Sequence, residues 1–173
     1  MHILSFDPGQ TTGVCEIRIL KVPYDIESSC TIDTWQIGPE DHHGDLFKIC
    51  QASLCDHIVA ENFIHQRRGS AVLKPVEYLG VIKLFCSERK DVSLTIQTPA
   101  MAKNFWTDEK IKSLGLWKRS SPHAMDALRH GLYFVTTTLK NNRFIREIEN
   151  RRVSPPLEGV RKEKAGPQSR ELS

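Results

Sequence analysis

Three β-prone runs open the chain, joined by short connections, and beyond them strand-like runs alternate with helical stretches. That order confines the chain to an α/β fold with a mixed sheet. Ile3 to Asp7 is a short apolar run stopped by Pro8-Gly9, which forms a turn. Gly13 to Leu20 alternates and carries β-branched residues, and Cys30 to Ile37 does the same through Ile32, Trp35 and Ile37. The short connections predict an antiparallel meander for these three strands. Between Asp41 and Asp56, Leu46, Ile49, Cys50 and Leu54 fall at helical spacing, and Ile58-Val59-Ala60 is a fourth strand that ends at Glu61. Ser70 to Lys90 predicts an amphipathic helix with Pro75 near its start and Val72, Val76, Leu79, Ile82, Leu84 and Phe85 as its apolar set. Val92 to Gln97 is a fifth strand, Ala100 to Leu114 holds one or two helical turns, and Ser121-Pro122 caps a helix that runs to about Leu139.

Composition fits this reading. The 173 residues are enough for one domain with a core plus a tail, and 39% hydrophobic with 26% charged residues is ordinary for a soluble protein. The lack of a long uncharged apolar stretch argues against a membrane span, and the early Asp7 argues against a secretory signal, so a cytoplasmic location is expected. The net charge of +3 is unevenly spread: residues 140–173 carry nine Lys/Arg against five Asp/Glu, whereas residues 1–139 are close to neutral. The domain is therefore expected over 1–139, followed by a basic, partly disordered tail over 140–173. Five cysteines with no Cys-x-x-Cys pair read as reduced thiols rather than a disulfide framework. Cys50, Cys55 and His57, with His42 and His43, are not expected to bind structural zinc, because the helix carrying the cysteines should bury one of them.

The chemistry is expected at the strand ends. If the first and fourth strands lie side by side and parallel, Asp7 and Glu61 emerge at one edge of the sheet. His123 and Asp126, three apart, share a face of the last helix. Taken alone, an Asp before Pro-Gly is a turn residue and a His at a helix start is a cap. Together the four form a candidate metal site, since clustered carboxylates repel and a hard divalent cation such as Mg²⁺ or Mn²⁺ removes that cost. Two such ions about 4 Å apart suit phosphodiester hydrolysis.

Three motifs carry a family resemblance. Phe6-Asp7-Pro8-Gly9-Gln10-Thr11-Thr12-Gly13-Val14 resembles the first strand-turn-strand of RuvC-type Holliday junction resolvases. Val59-Ala60-Glu61-Asn62-Phe63 resembles their second acidic strand, and His123-Ala124-Met125-Asp126-Ala127 their closing helix, where the first position is Asp or His. The stretch from Ala102 to Lys110 resembles bacteriophage-encoded versions, whose location would be the host cytoplasm. The resemblance covers about 1–139 and implies an RNase H-like five-stranded mixed sheet, three antiparallel strands then parallel ones, flanked by helices. It also implies a homodimeric endonuclease that binds branched DNA and resolves four-way junctions by paired nicks. Asp7, Glu61, His123 and Asp126 would be its catalytic residues and the ligands of two Mg²⁺ or Mn²⁺ ions. Bacterial relatives place an aromatic wedge three residues after the strand carboxylate, where this chain has Ile64; Phe63, one residue earlier, is the candidate for that DNA contact. Arg67 and Arg68 precede a helix start and make a candidate phosphate site, the alternative being a solvated loop.

Three other functions compete. One is a broader RNase H-like nuclease acting on flaps or other branched DNA. A second is a junction-binding protein without catalysis, disfavoured because all four ligand positions keep ligating residues. The turn after Asp7 also resembles the phosphate loop of actin-like ATPases, but 173 residues are too few for their two lobes. No P-loop motif supports a packaging ATPase.

Overall fold

The computed structural model describes residues 1–20, 30–39, 42–63, 73–141 and 146. Strands β1 (His2–Asp7), β2 (Thr12–Ile19) and β3 (Cys30–Ile37) are followed by helix α1 (His42–Ala52), strand β4 (His57–Glu61), helix α2 (Lys74–Glu88) and strand β5 (Ser93–Gln97). Helices α3 (Pro99–Phe105), α4 (Asp108–Ser113) and α5 (Pro122–Tyr133) follow, and α5 runs on as a π-helical turn, Phe134–Thr138. The sheet order is β3-β2-β1-β4-β5, with β1–β2 and β2–β3 antiparallel and β1–β4 and β4–β5 parallel. This is the mixed sheet that the order of runs predicts, with β1 in the middle. No described helix is long and apolar enough to cross a membrane.

Alternation along β1 sorts its side chains between two cores. Leu4 and Phe6 join Val14, Ile58, Ala60, Leu46, Tyr78, Leu79, Ile82 and Phe85 beneath α1 and α2. Ile3 joins Ile17, Val59, Ala124, Met125, Leu128 and Leu132 beneath α5. Ser5 shares that second face, where its hydroxyl donates to the Ala127 carbonyl at 2.8 Å. The same parity continues to the strand ends. Asp7 follows Ile3 and Ser5, and Glu61 follows Val59, so both carboxylates turn toward α5. Phe6 pairs with Ala60 in the β1–β4 register, which leaves Asp7 and Glu61 one step beyond the last pair and side by side.

Helix α5 lies close on the sheet because a glycine lets it. A Cβ on Gly13 would stand 1.9 Å from the His123 carbonyl oxygen and 2.7 Å from the Ala124 nitrogen, so only a bare backbone fits under the first turn.

Some sequence expectations need correcting. In α2 the buried residues are Tyr78, Leu79, Ile82 and Phe85, whereas Val76 and Leu84 are exposed: the apolar set spans more of the helix than one core can cover. Helix α1 ends at Ala52, so Leu54 falls outside it and is 80% exposed. Cys50 and Cys55 are both buried, not one of the two, because Cys55 sits in the turn into β4 rather than on the helix. Burial pushes their thiols up to about 12 and about 11, the character of inert core cysteines. Val72, at the expected start of α2, and most of the expected tail lie outside the described residues.

Candidate active site

The site forms where the C-terminal ends of β1, β4 and β5 meet α3 and α5. Asp7 is buried, and its Oδ2 accepts from His123 Nδ1 at 2.9 Å. Burial first, then the charge of Glu61, raise its carboxyl to about 6; the hydrogen bond from His123 opposes the rise and the charge of Asp126 adds to it. The three acidic side chains expected at the site are therefore close enough to act on one another.

Helix α5 is docked from its first turn. Ser121 occupies the N-cap position, as the sequence predicts, but makes no side-chain cap hydrogen bond. Gln36 on β3 does that work instead: its Oε1 accepts from the His123 backbone N–H at 3.2 Å. With Gly13 beneath, the contact fixes the height of His123 over Asp7. The imidazole itself is half-exposed.

Asp126 sits between two cations. Lys103 of α3 brings its Nζ to 3.0 Å from Asp126 Oδ2 and 3.7 Å from Glu61 Oε2. Arg129 Nη1 donates to Asp126 Oδ1, while its Nη2 donates to Asp108 and its Nε to the Trp106 carbonyl at 3.0 Å. The Arg129 guanidinium is buried and lies over the Trp117 ring at 5.6 Å, so it holds Asp126 from a fixed base. Lys103 is different, because its side chain is 41% exposed and can withdraw. Partial burial works to lower its pKa, but the bond to Asp126 and the charges of Asp126, Glu61 and Asp7 outweigh that and raise it. A cleft of about 430 Å³ opens beside the pair, lined by Lys103, Thr107, Asp108, Glu109, Asp126 and Arg129.

Glu61 is held from below. Its Oε2 lies 2.7 Å from Nε2 of His130, whose Nδ1 lies 2.7 Å from Oε1 of Gln97. His130 is fully buried, and Gln97 is the residue paired with Glu61 in the β4–β5 register.

All four residues expected to ligate metal thus gather at one end of the sheet. As they stand, no three His, Cys, Asp or Glu side chains among the described residues form a cluster that could hold an ion. The Lys103 ammonium instead occupies the space between Glu61 and Asp126. The donor chemistry nevertheless fits a hard divalent cation: three carboxylates and an imidazole, with burial and the charge of Glu61 raising the Asp7 carboxyl to about 6. Phe63 is half-buried just beyond β4. Arg67 and Arg68 lie outside the described residues. The histidines near Cys50 and Cys55 in the sequence have partners of their own: His42 bonds Thr12 and stacks on Tyr78, His43 meets Glu77, and His57 bonds Ser93.

Sequence reasoning missed Gln36, Gln97, Arg129 and His130, and did not tie Lys103 to the site carboxylates. One signal was present: His123, Asp126 and His130 fall at i, i+3 and i+7, a single helical face.

No family model matches the sequence, and no curated protein does. Solved structures do match. The chain is similar to Thermus thermophilus RuvC, with a TM-score of 0.57 at 15% identity over 81% of this chain and 96% of that one. For T. thermophilus RuvC in complex with a Holliday junction substrate the TM-score is 0.58 at 15% identity, over 82% and 97% of the two chains. The fowlpox virus resolvase in complex with substrate Holliday junction DNA matches with a TM-score of 0.52 at 14% identity, over 80% and 99%. The five-stranded mixed sheet flanked by helices is therefore the RuvC, RNase H-like fold.

Proposed function

We propose that this chain is a divalent-metal-dependent endonuclease that cuts branched DNA, resolving four-way junctions by paired nicks. The observation that carries the reading is the convergence of Asp7, Glu61 and Asp126 at one end of a RuvC-fold sheet, with burial and the charge of Glu61 raising the Asp7 carboxyl to about 6. Two of the similar structures are complexes with Holliday junctions, which supports branched DNA as the substrate class.

Asp7, Glu61, Asp126 and His123 would hold Mg²⁺ or Mn²⁺. Such ions, when bound, supply Lewis acidity for phosphodiester hydrolysis, making water a better nucleophile and stabilising the oxygen that leaves. The chain's own residues provide the frame. Asp7, at the central strand, is the anchoring carboxylate, and His123 is held against it by Gln36 and the close approach over Gly13. Arg129 fixes one oxygen of Asp126. Lys103 balances the carboxylate charge and, on its flexible stem, offers a contact to phosphate. Arg67, Arg68 and Phe63 are proposed DNA contacts, and the basic segment over 140–173 adds nonspecific attraction. Paired nicks need two copies of the site. The exposed face of α2, where Val76 and Leu84 flank Gly80 with open space around it, is proposed as the surface for the second copy.

The test is incubation with a synthetic four-way junction, a flap and plain duplex, each with Mg²⁺, Mn²⁺ or chelator. Symmetric cuts in the junction that require metal and vanish in Asp7→Asn are expected. Preferred cutting of the flap would make it a broader branched-DNA nuclease, and junction binding without any cutting would refute catalysis.

A further inference from the structure

The buried pair beneath Glu61 has a geometry that packing alone does not call for. His130 is fully buried and Gln97 is 2% exposed, yet both are polar and both meet at the base of a site carboxylate. Burying polar groups costs free energy unless they are paired, and here the pairing runs in one line from Gln97 through the imidazole to Glu61. A carboxylate only accepts hydrogen bonds, so His130 Nε2 carries the proton and donates it to Glu61. The Gln97 amide can present either its oxygen or its nitrogen to Nδ1, and its Nε2 has no other partner among the described residues. Gln97 thus fixes the ring, and the ring fixes Glu61.

We infer that His130, braced by Gln97, is the positioning residue for Glu61. By holding Oε2 it sets the direction of Oε1 and presents the carboxylate to the divalent ion in one orientation. This inference rests on the metal-dependent reading above and extends it to residues that touch neither ion nor DNA. Glu61 lies at a strand end with three rotatable side-chain bonds, and the Lys103 ammonium, 3.7 Å from its Oε2, is itself half-exposed. Without His130 the carboxylate is free to follow Lys103. Groups that orient metal ligands in this way change affinity or activity by about 10–100-fold when removed.

The experiment measures Mn²⁺ uptake by the full chain, from the loss of the free-ion paramagnetic resonance signal, without DNA. Circular dichroism and thermal unfolding of every variant check the fold. His130→Leu is expected to weaken Mn²⁺ binding about 10–100-fold. His130→Gln, whose amide nitrogen can stand in for Nε2, should recover most of that loss. Gln97→Leu should lie between. In a Glu61→Gln background, His130→Leu should cost no further affinity, because the carboxylate it orients is gone. Should His130→Leu fail to fold, the His130→Gln and Gln97→Leu variants carry the measurement. Wild-type affinity in both His130→Leu and Gln97→Leu, or an undiminished His130→Leu effect in the Glu61→Gln background, overturns the positioning role while leaving the nuclease reading intact. A wild-type chain that takes up no Mn²⁺, or takes it up equally well as Asp7→Asn, refutes the nuclease reading itself and this inference with it.

Discussion

Replacing Asp7 with Asn should stabilise the folded chain while abolishing its proposed activity. In the folded state the carboxyl is raised from 3.8 to about 6, by burial and by the charges of Glu61 and Asp126. The native protein therefore holds this proton more tightly than the unfolded chain, and folding takes up a proton between those two values. Stability contributed by this group consequently falls as pH rises from about 4 to about 6, and the loss is complete above that range. At about 1.36 kcal/mol per pH unit, the ionised carboxylate costs the fold about 3 kcal/mol at pH 7.5 and about 1 kcal/mol at pH 4.5. Asn cannot ionise, and its carbonyl oxygen can still accept from His123. The stability gap between Asp7→Asn and wild type should therefore widen by about 2 kcal/mol between pH 4.5 and pH 7.5. Urea unfolding at both pH values in chelator measures it directly. Saturating Mn²⁺ should then close the gap from the other side, since an ion at a hundred times its dissociation constant stabilises the wild type by about 2.7 kcal/mol. An Asn variant less stable than wild type at pH 7.5, or a gap that does not change with pH, would show that Asp7 is not the strained carboxylate described here.

Three further outcomes are expected. Lys103→Gln removes the ammonium that sits between Asp126 and Glu61, so Mn²⁺ affinity without DNA should rise several-fold, checked by calorimetric titration; weaker binding would mean Lys103 supports the ion rather than competing with it. Gly13→Ala forces a methyl against the His123 carbonyl, which cannot swing aside as a side chain tip would; a loss of about 3 kcal/mol or more in chemical denaturation and loss of cleavage are expected. Arg67→Ala with Arg68→Ala should lower the slope of log affinity against log salt by about two on a four-way junction, and an unchanged slope would remove both from the phosphate contacts.

Much of this protein can be read from local pattern. Strand and helix identity follow from apolar spacing, and period-two alternation in β1 and β4 puts Asp7 and Glu61 on the same face as soon as the two strands are neighbours. The Ser121-Pro122 signal marks the start of the helix that carries His123 and Asp126. What the pattern left out has a common cause. His130 is 69 residues from Glu61 and 33 from Gln97, and Gln36 is 87 from the backbone it caps. Such pairs are made by strand register and by the depth at which α5 settles on the sheet, and no spacing within a window of local sequence encodes either. The exposed Val76 and Leu84 show the same limit from the other side, since helical period tells which residues share a face but not how much of that face a neighbour covers. Sequence alone thus placed the carboxylates at the strand ends, through the geometry of single strands. Only the tertiary structure decided which buried partners hold them, because those contacts depend on where distant segments stop against one another.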